Sequence, residues 1–345
     1  MKRKVEKKKY QIRKSRNGQK KKKKRQGYIG YLRRRDDGSS VYHRTKNREK
    51  IEVPVAFSLI DNPNETAEFF EKLFFDIQNA SSYTLFDIRS ENVKRVTVDA
   101  LIYLMAIIQN NRKNRIKQLV FRCNFPQDEN ARKTYKECGI VDYSNSRLPS
   151  LNNKDIKKII TSKQNDPNKA SEICDFVQEK FGCSKKKTQS LYTTIIELMS
   201  NVQLHAYISG NYDEKSVMYK RWYGYAEYRD NFIRVIFLDT GLGIPATVKK
   251  KFNERIKGLF GDNGQDADLI SSALKGEWRT RTGDTYRGNG LPMVNDFLSS
   301  NCVDNYYIFS GKGGLLHSHE MNNKLENAYE LRGTLIGFDL IKEGF

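Results

Sequence analysis

Glu197, Asn201 and His205 are spaced four apart in a stretch, TTIIELMSNVQLHAY, that reads as a helix from near Lys187. That spacing stacks them on one face, each a turn above the last. Ile195, Ile196, Met199, Val202 and Ala206 fall on other sides, where they can meet a core. An acid, an amide and an imidazole turned inward are costly to bury unless something polar fills the space beside them. A magnesium–triphosphate complex would do so. The Asn201 carbonyl oxygen suits a hard cation, and Glu197 could orient or deprotonate an attacking water or hydroxyl. The same stripe would also suit an exposed helix face.

A second set of residues sits at the end of an apolar strand, Asn231 to Leu238, whose hairpin partner is Lys220 to Tyr228, joined through Asp230-Asn231. The strand runs into Asp239-Thr240-Gly241-Leu242-Gly243-Ile244-Pro245. A carboxylate at the end of a buried strand can accept a hydrogen bond from an exocyclic amine, and Gly241 and Gly243 let backbone approach a flat base closely. A plain tight turn is the alternative. The third set is Arg287-Gly288-Asn289-Gly290-Leu291, ahead of a helix from about Pro292 to Leu298. Glycines before a helix N-terminus form a nest of N–H groups that attracts phosphate. No Gly-Lys-Ser/Thr follows, so this is not a P-loop. Between the second and third sets lie about forty residues ending in Trp278-Arg279-Thr280-Arg281, an irregular insert of the kind that serves as a lid. Arg279, Arg281 and Arg287 are candidates to meet β- and γ-phosphates, with a surface charge the alternative for at least one.

In this order the segments resemble the ATPase superfamily of gyrase, the heat-shock-90 chaperones, mismatch-repair MutL and histidine kinases. ELMSNVQLHA is similar to its first box, DTGLGIP to its second and RGNGL to its third, while RGTLIGFDL supplies Gly333-Thr334, which completes the adenine pocket in many members. The resemblance covers residues 187–345 and implies a two-layer α/β sandwich, the Bergerat-type fold, with ATP between the helices and a mobile lid. It implies that Asn201 holds Mg²⁺, Asp239 reads the adenine amine and Glu197 is the base. His205, Gly241, Gly243, Ile244, Arg279, Arg281, Arg287, Gly288, Asn289, Gly290, Leu291 and Thr334 would line the nucleotide.

These boxes need a frame. Ile51 to Ile60 reads as a strand interrupted by Pro54, and Asn64 can cap a helix through about Asn79, with Phe69, Phe70, Leu73, Phe74 and Ile77 on its apolar side. Then come a strand from Tyr83 to Ile88, a strongly apolar helix from Val98 to Gln109, a strand from Leu119 to Cys123 and a helix from Asn130 to Cys138 closed by Gly139. Alternating strands and helices predict a small α/β layer. YTLFDIRSENVKRVTVDALIYLMAII and ARKTYKECGIVDY make residues 50–145 similar to the STAS domain of bacterial anti-sigma-factor antagonists. That family's phosphorylatable serine sits where this chain has Thr97, Val98 and Asp99. Asp99 reads as a helix cap, or as a fixed negative charge in place of phosphate. Residues 146–186 are polar and read as a linker with one helix, Ala170 to Phe181.

The chain has 345 residues, which suggests two domains. Its net charge of +21 is uneven: residues 1–50 carry 22 Lys or Arg against Glu6, Asp36, Asp37 and Glu49, leaving the rest near neutral. Such like-charge blocks repel and cannot fold alone, so residues 1–49 read as a disordered basic arm. Contact with nucleic-acid phosphate is one reading of it; a solubilising tail is the other. No run approaches a membrane span, and no apolar stretch follows the basic start as in a secretory signal, so a cytoplasmic protein with no membrane partner is expected. Five scattered cysteines read as reduced thiols, and His317-Ser318-His319 beside Glu320 reads as a solvated loop or strand end, with no third ligand for a metal.

A histidine autokinase would need an acceptor histidine on a dimerising helix, and His43 lies in the arm. The leading expectation is a Mg²⁺-dependent ATPase switch with a protein partner, suited to bacterial stress or defence signalling and to dimerisation. An anti-sigma-type serine/threonine kinase and a non-hydrolytic ATP-binding module are the alternatives.

Overall fold

The computed structural model describes residues 29–34, 40–45, 47–112, 119–140, 151–204, 221–250, 264–278, 290–318 and 321–345. They form a mixed α/β protein. In the first half, β1 (Ile29–Arg34) pairs with β2 (Ser40–Thr45) as an antiparallel hairpin. Next come β3 (Asn47–Glu52), β4 (Ala56–Phe57), α1 (Pro63–Asn79), β5 (Thr84–Arg89), β6 (Arg95–Val96), α2 (Val98–Arg112), β7 (Val120–Cys123) and α3 (Glu129–Glu137). The order β3-β5-β7 is a parallel sheet, and β4 and β6 form a separate parallel pair.

The charge pattern predicts disorder through residue 49, and here the structure differs. Tyr and β-branched residues between the arginines suit strands, and Asn47–Glu52 is an edge strand of the parallel sheet. Arg48 is tied to that sheet through Asp87, a fully buried carboxylate on β5 that also meets Arg122 at 3.0 Å and Arg89 at 3.2 Å. Burial alone would raise the Asp87 pKa, but Arg48, Arg122 and Arg89 outweigh it and hold the carboxyl below its usual range. Helix α1 begins two residues earlier than the sequence predicts, with Asn62 and not Asn64 at the cap and Pro63 in its first turn, a place that costs it no hydrogen bond.

The second half contributes β8 (Ile156–Ser162), α4 (Pro167–Phe181), α5 (Gln189–Leu204), β9 (Trp222–Arg229), β10 (Phe232–Asp239), α6 (Asp266–Leu274), α7 (Gly290–Leu298), β11 (Val303–His317) and β12 (Asn322–Ile341). Five strands form an antiparallel sheet in the order β11-β12-β10-β9-β8. Asp230 and Asn231, at φ of 40° and 75°, make the two-residue turn that joins β9 to β10, a turn whose twist suits a hairpin. The polar stretch 146–186 does contain a helix, started by Pro167 and the Asp166 cap and stopped at Gly182 with φ 68°. It also supplies β8, an edge strand of the large sheet, where polar residues are tolerated on the open side. The insert predicted to be irregular holds α6, whose Ala267, Leu269, Ile270, Ala273 and Leu274 are buried.

Alternation along β10 divides the core. Ile233, Val235 and Phe237 face one side, packed with Leu191, Ile195, Leu198, Met199 and Val202 of α5 and with residues of α4, α6 and α7. Ile236 and Leu238 face the other side, where they join Leu101, Tyr103, Leu104 and Met105 of α2, Phe70 and Leu73 of α1, and Phe86 and Phe121 of the parallel sheet. The resemblance implies two layers for residues 187–345, yet the second face of the large sheet is also covered. Helix α2 is the reason. Every residue from Val98 to Ile108 is buried, as a helix apolar all round must be, so it lies between the parallel sheet and the antiparallel one. Asp99 is buried too and accepts the Leu59 amide at 3.0 Å; burial raises its pKa. It therefore ties down the segment after β4, away from any partner that could read it as phosphate.

Candidate functional site

Asp239 is the last residue of β10 and lies opposite Thr334 of β12, which in turn lies opposite Ser310 of β11. By the alternation of β10, Asp239 shares the helix-covered face with Ile233, Val235 and Phe237. Its carboxylate accepts the Gly241 amide at 2.8 Å and is 9% exposed. Burial pushes its pKa up to about 6, against hydrogen bonds from Gly241 and Thr334 that favour the charged form. Gly243 has φ +85°, and a methyl there would stand 2.6 Å from Ser310 Oγ and 2.8 Å from the Gly333 carbonyl. Gly333, at φ +89°, has no room for a methyl either, because the Asp239 carbonyl occupies the place. Both positions demand glycine twice over, by backbone angle and by close approach. The Ser310 hydroxyl locks them together: it accepts the Ile244 amide at 2.9 Å and donates to the Gly333 carbonyl at 2.7 Å. Residues more than sixty positions apart in the sequence thus converge on one end of β10.

The other end of the site is on α5. Glu197 and Asn201 are half-buried on this helix. Gly290, the first residue of α7, sits directly against both: a methyl there would be 2.9 Å from Glu197 Oε2 and 3.1 Å from Asn201 Oδ1. The N-terminus of α7, where a helix has no intrahelical partners for its first N–H groups, is therefore brought beside the acid and the amide. Asn201 Nδ2 is buried and finds no hydrogen-bond partner among the described residues, a cost of about 1–3 kcal/mol that a polar guest would relieve. The cradle at Gly290 and this orphaned donor suit a phosphate oxygen; for a cation only the neighbouring Asn201 Oδ1 could serve. Leu291 is half-buried against the helix-side core. His205, Arg279, Arg281, Arg287, Gly288 and Asn289 lie outside the described residues, as do His319 and Glu320, while His317 stacks on Tyr306 with centroids 4.7 Å apart.

Three contributors escaped the sequence reading. Ser310 carries no local signal, because its role exists only through its register with Thr334. Tyr103 and Asn110 belong to α2, in the first half of the chain, and reach the site from behind. Tyr103 Oη donates to the Arg332 carbonyl at 2.7 Å, and Asn110 Nδ2 donates to Thr240 Oγ1 at 3.0 Å. A polar Asn110 only 3% exposed at the end of an apolar helix is a signal that could have marked the second. The five cysteines are free thiols. A scan against protein-family models and a search of curated proteins each find no match to this chain. No described helix is long and apolar enough to cross a membrane.

Proposed function

We propose that residues 187–345, together with β8 and α4 that complete their sheet and core, form a Bergerat-type fold that binds ATP with Mg²⁺, and that the chain is an ATPase acting as a conformational switch, with a STAS-like layer fixed to its back. The observation that carries this reading is the seat of Gly290. It brings the N-terminus of α7 against Glu197 and Asn201, about ninety residues earlier in the chain, on the same sheet face as Asp239. Asp239 would accept the 6-amino group of adenine, with Gly243 leaving space for the base. The N–H groups of α7 would point at phosphate, joined by Arg279, Arg281 and Arg287. Asn201 Oδ1 would hold Mg²⁺, which when bound neutralises charge on the β- and γ-phosphate oxygens. Glu197 would take a proton from water as the water oxygen bonds to the γ-phosphorus and the bond to the β–γ bridging oxygen breaks, giving ADP and phosphate. Because the two halves share one core, the state of the site is read by a protein partner at the surface, without separation of the layers.

Incubation with γ-labelled ATP tests the reaction. Free labelled phosphate is expected. Label retained on protein would instead favour a protein kinase of the anti-sigma type, and neither product would leave a binding module. Glu197→Ala is expected to keep nucleotide affinity and to lower turnover by about 100-fold or more. Unchanged turnover in that variant would remove Glu197 from the role of base.

A further inference from the structure

Tyr103 and Asn110 are seven residues apart on α2, so they lie on one face, two turns or about 10 Å from each other. Their hydrogen bonds end on two different segments of the nucleotide pocket. Asn110 holds Thr240, the residue between Asp239 and Gly241, and both partners are 3% exposed. Tyr103 is 2% exposed and holds the carbonyl of Arg332, the residue before Gly333. Asp239 and Thr334 are a register pair, so the two contacts fall just beyond the two members of that pair. Neither α2 residue can touch a nucleotide, because the sheet lies between. Both fix backbone that does: Thr240 leads into the Gly241 amide that orients Asp239, and Arg332 leads into the Gly333 carbonyl that orients Ser310 and hence Ile244.

Burial makes these bonds consequential. A hydroxyl or amide left unpaired in the interior costs its full desolvation, so the bond from Asn110 is kept and the loop is held where the bond requires. The bond from Asn110 places the Thr240 side chain on the α2 side of the sheet, with Ile236 and Leu238, while Asp239 takes the other side, so one loop serves both layers.

We propose that α2 is the positioning element of the base pocket: Asn110 and Tyr103 set the place of the Asp239–Gly241 and Gly333–Thr334 segments and so determine which purine the site accepts. The inference rests on the nucleotide-binding reading above. Its test is the affinity of the full chain for ATP and for inosine triphosphate, which differs from ATP in offering a 6-oxo group to Asp239. Tyr103→Phe removes one oxygen and no carbon. Asn110→Ala removes the amide, Thr240→Val removes its acceptor, and Thr240→Ser keeps the hydroxyl. Tyr103→Phe, Asn110→Ala and Thr240→Val are expected to narrow the preference for ATP over inosine triphosphate by about 3- to 10-fold, with Thr240→Ser retaining the wild-type ratio. The measurement is made well below each variant's melting temperature. A merely structural role would lower that temperature and weaken both nucleotides alike, leaving the ratio unchanged, and that outcome overturns the proposal while the nucleotide site stands. Failure of the wild-type chain to bind either nucleotide would overturn both readings.

Discussion

At the scale of single residues, Asp239 carries the sharpest consequence. Its carboxyl is raised by burial from 3.8 to about 6, so the folded protein holds a proton there across a window in which the unfolded chain has lost it. The stabilising share of that proton is complete below the unfolded value and is lost as pH rises through about 6. Above that point the folded protein keeps a buried carboxylate, which a donor such as the adenine amine would satisfy. Below it the protonated acid becomes a donor and suits a 6-oxo purine. The ratio of ATP to inosine triphosphate affinity is therefore expected to fall as pH is lowered from about 7 to about 5, by up to about tenfold per unit. Titration of the shared triphosphate cancels in the ratio. A ratio flat across this range would take Asp239 out of contact with the base. This residue was legible in the sequence because a polar side chain closes an apolar strand and a glycine pair follows. Ser310 was not, since nothing near it in the chain announces the partner strand.

At the scale of elements, α2 is where sequence and structure differ most usefully. Its run of apolar residues was plain, and an all-apolar helix has to be buried on every side, but the identity of the second covering surface is a non-local fact. Strand β8 was missed for a related reason: an edge strand among polar residues shows little alternation, and only pairing with β9 defines it. The position of α2 predicts that the two halves unfold together. Leu104→Ala is expected to cost about 2–5 kcal/mol, the range for emptying a packed leucine site. Both tryptophans, Trp222 and Trp278, are buried in the helix-side core of the second half, so their fluorescence reports that half alone. In Leu104→Ala the fluorescence midpoint in urea should drop together with the circular dichroism midpoint. Fluorescence left at the wild-type midpoint, with circular dichroism lost earlier, would mean two independent domains.

At the scale of the whole molecule, charge and fold part company. The excess of positive charge lies in residues 1–50, while the remainder, with 40 basic and 37 acidic residues, is close to neutral. The basic run Lys20 to Arg25 precedes β1, whereas Arg48 already belongs to the parallel sheet through Asp87. Removing residues 1–48 would thus cut an edge strand as well as the arm, and loss of binding in such a variant would say little. Deleting residues 1–28 leaves β1, β2 and β3 intact and isolates the charge. If the arm meets nucleic-acid phosphates, the six bases from Lys20 to Arg25 would release counterions as they bind. The affinity of the full chain for a short RNA or DNA should then fall about 10³-fold between about 50 mM and 200 mM salt. The chain lacking residues 1–28 should show neither the binding nor the slope, and should melt as the full chain does. Equal binding by both would place the polyanion contact on the folded body, and absence of binding by the full chain at low salt would leave the arm without this role.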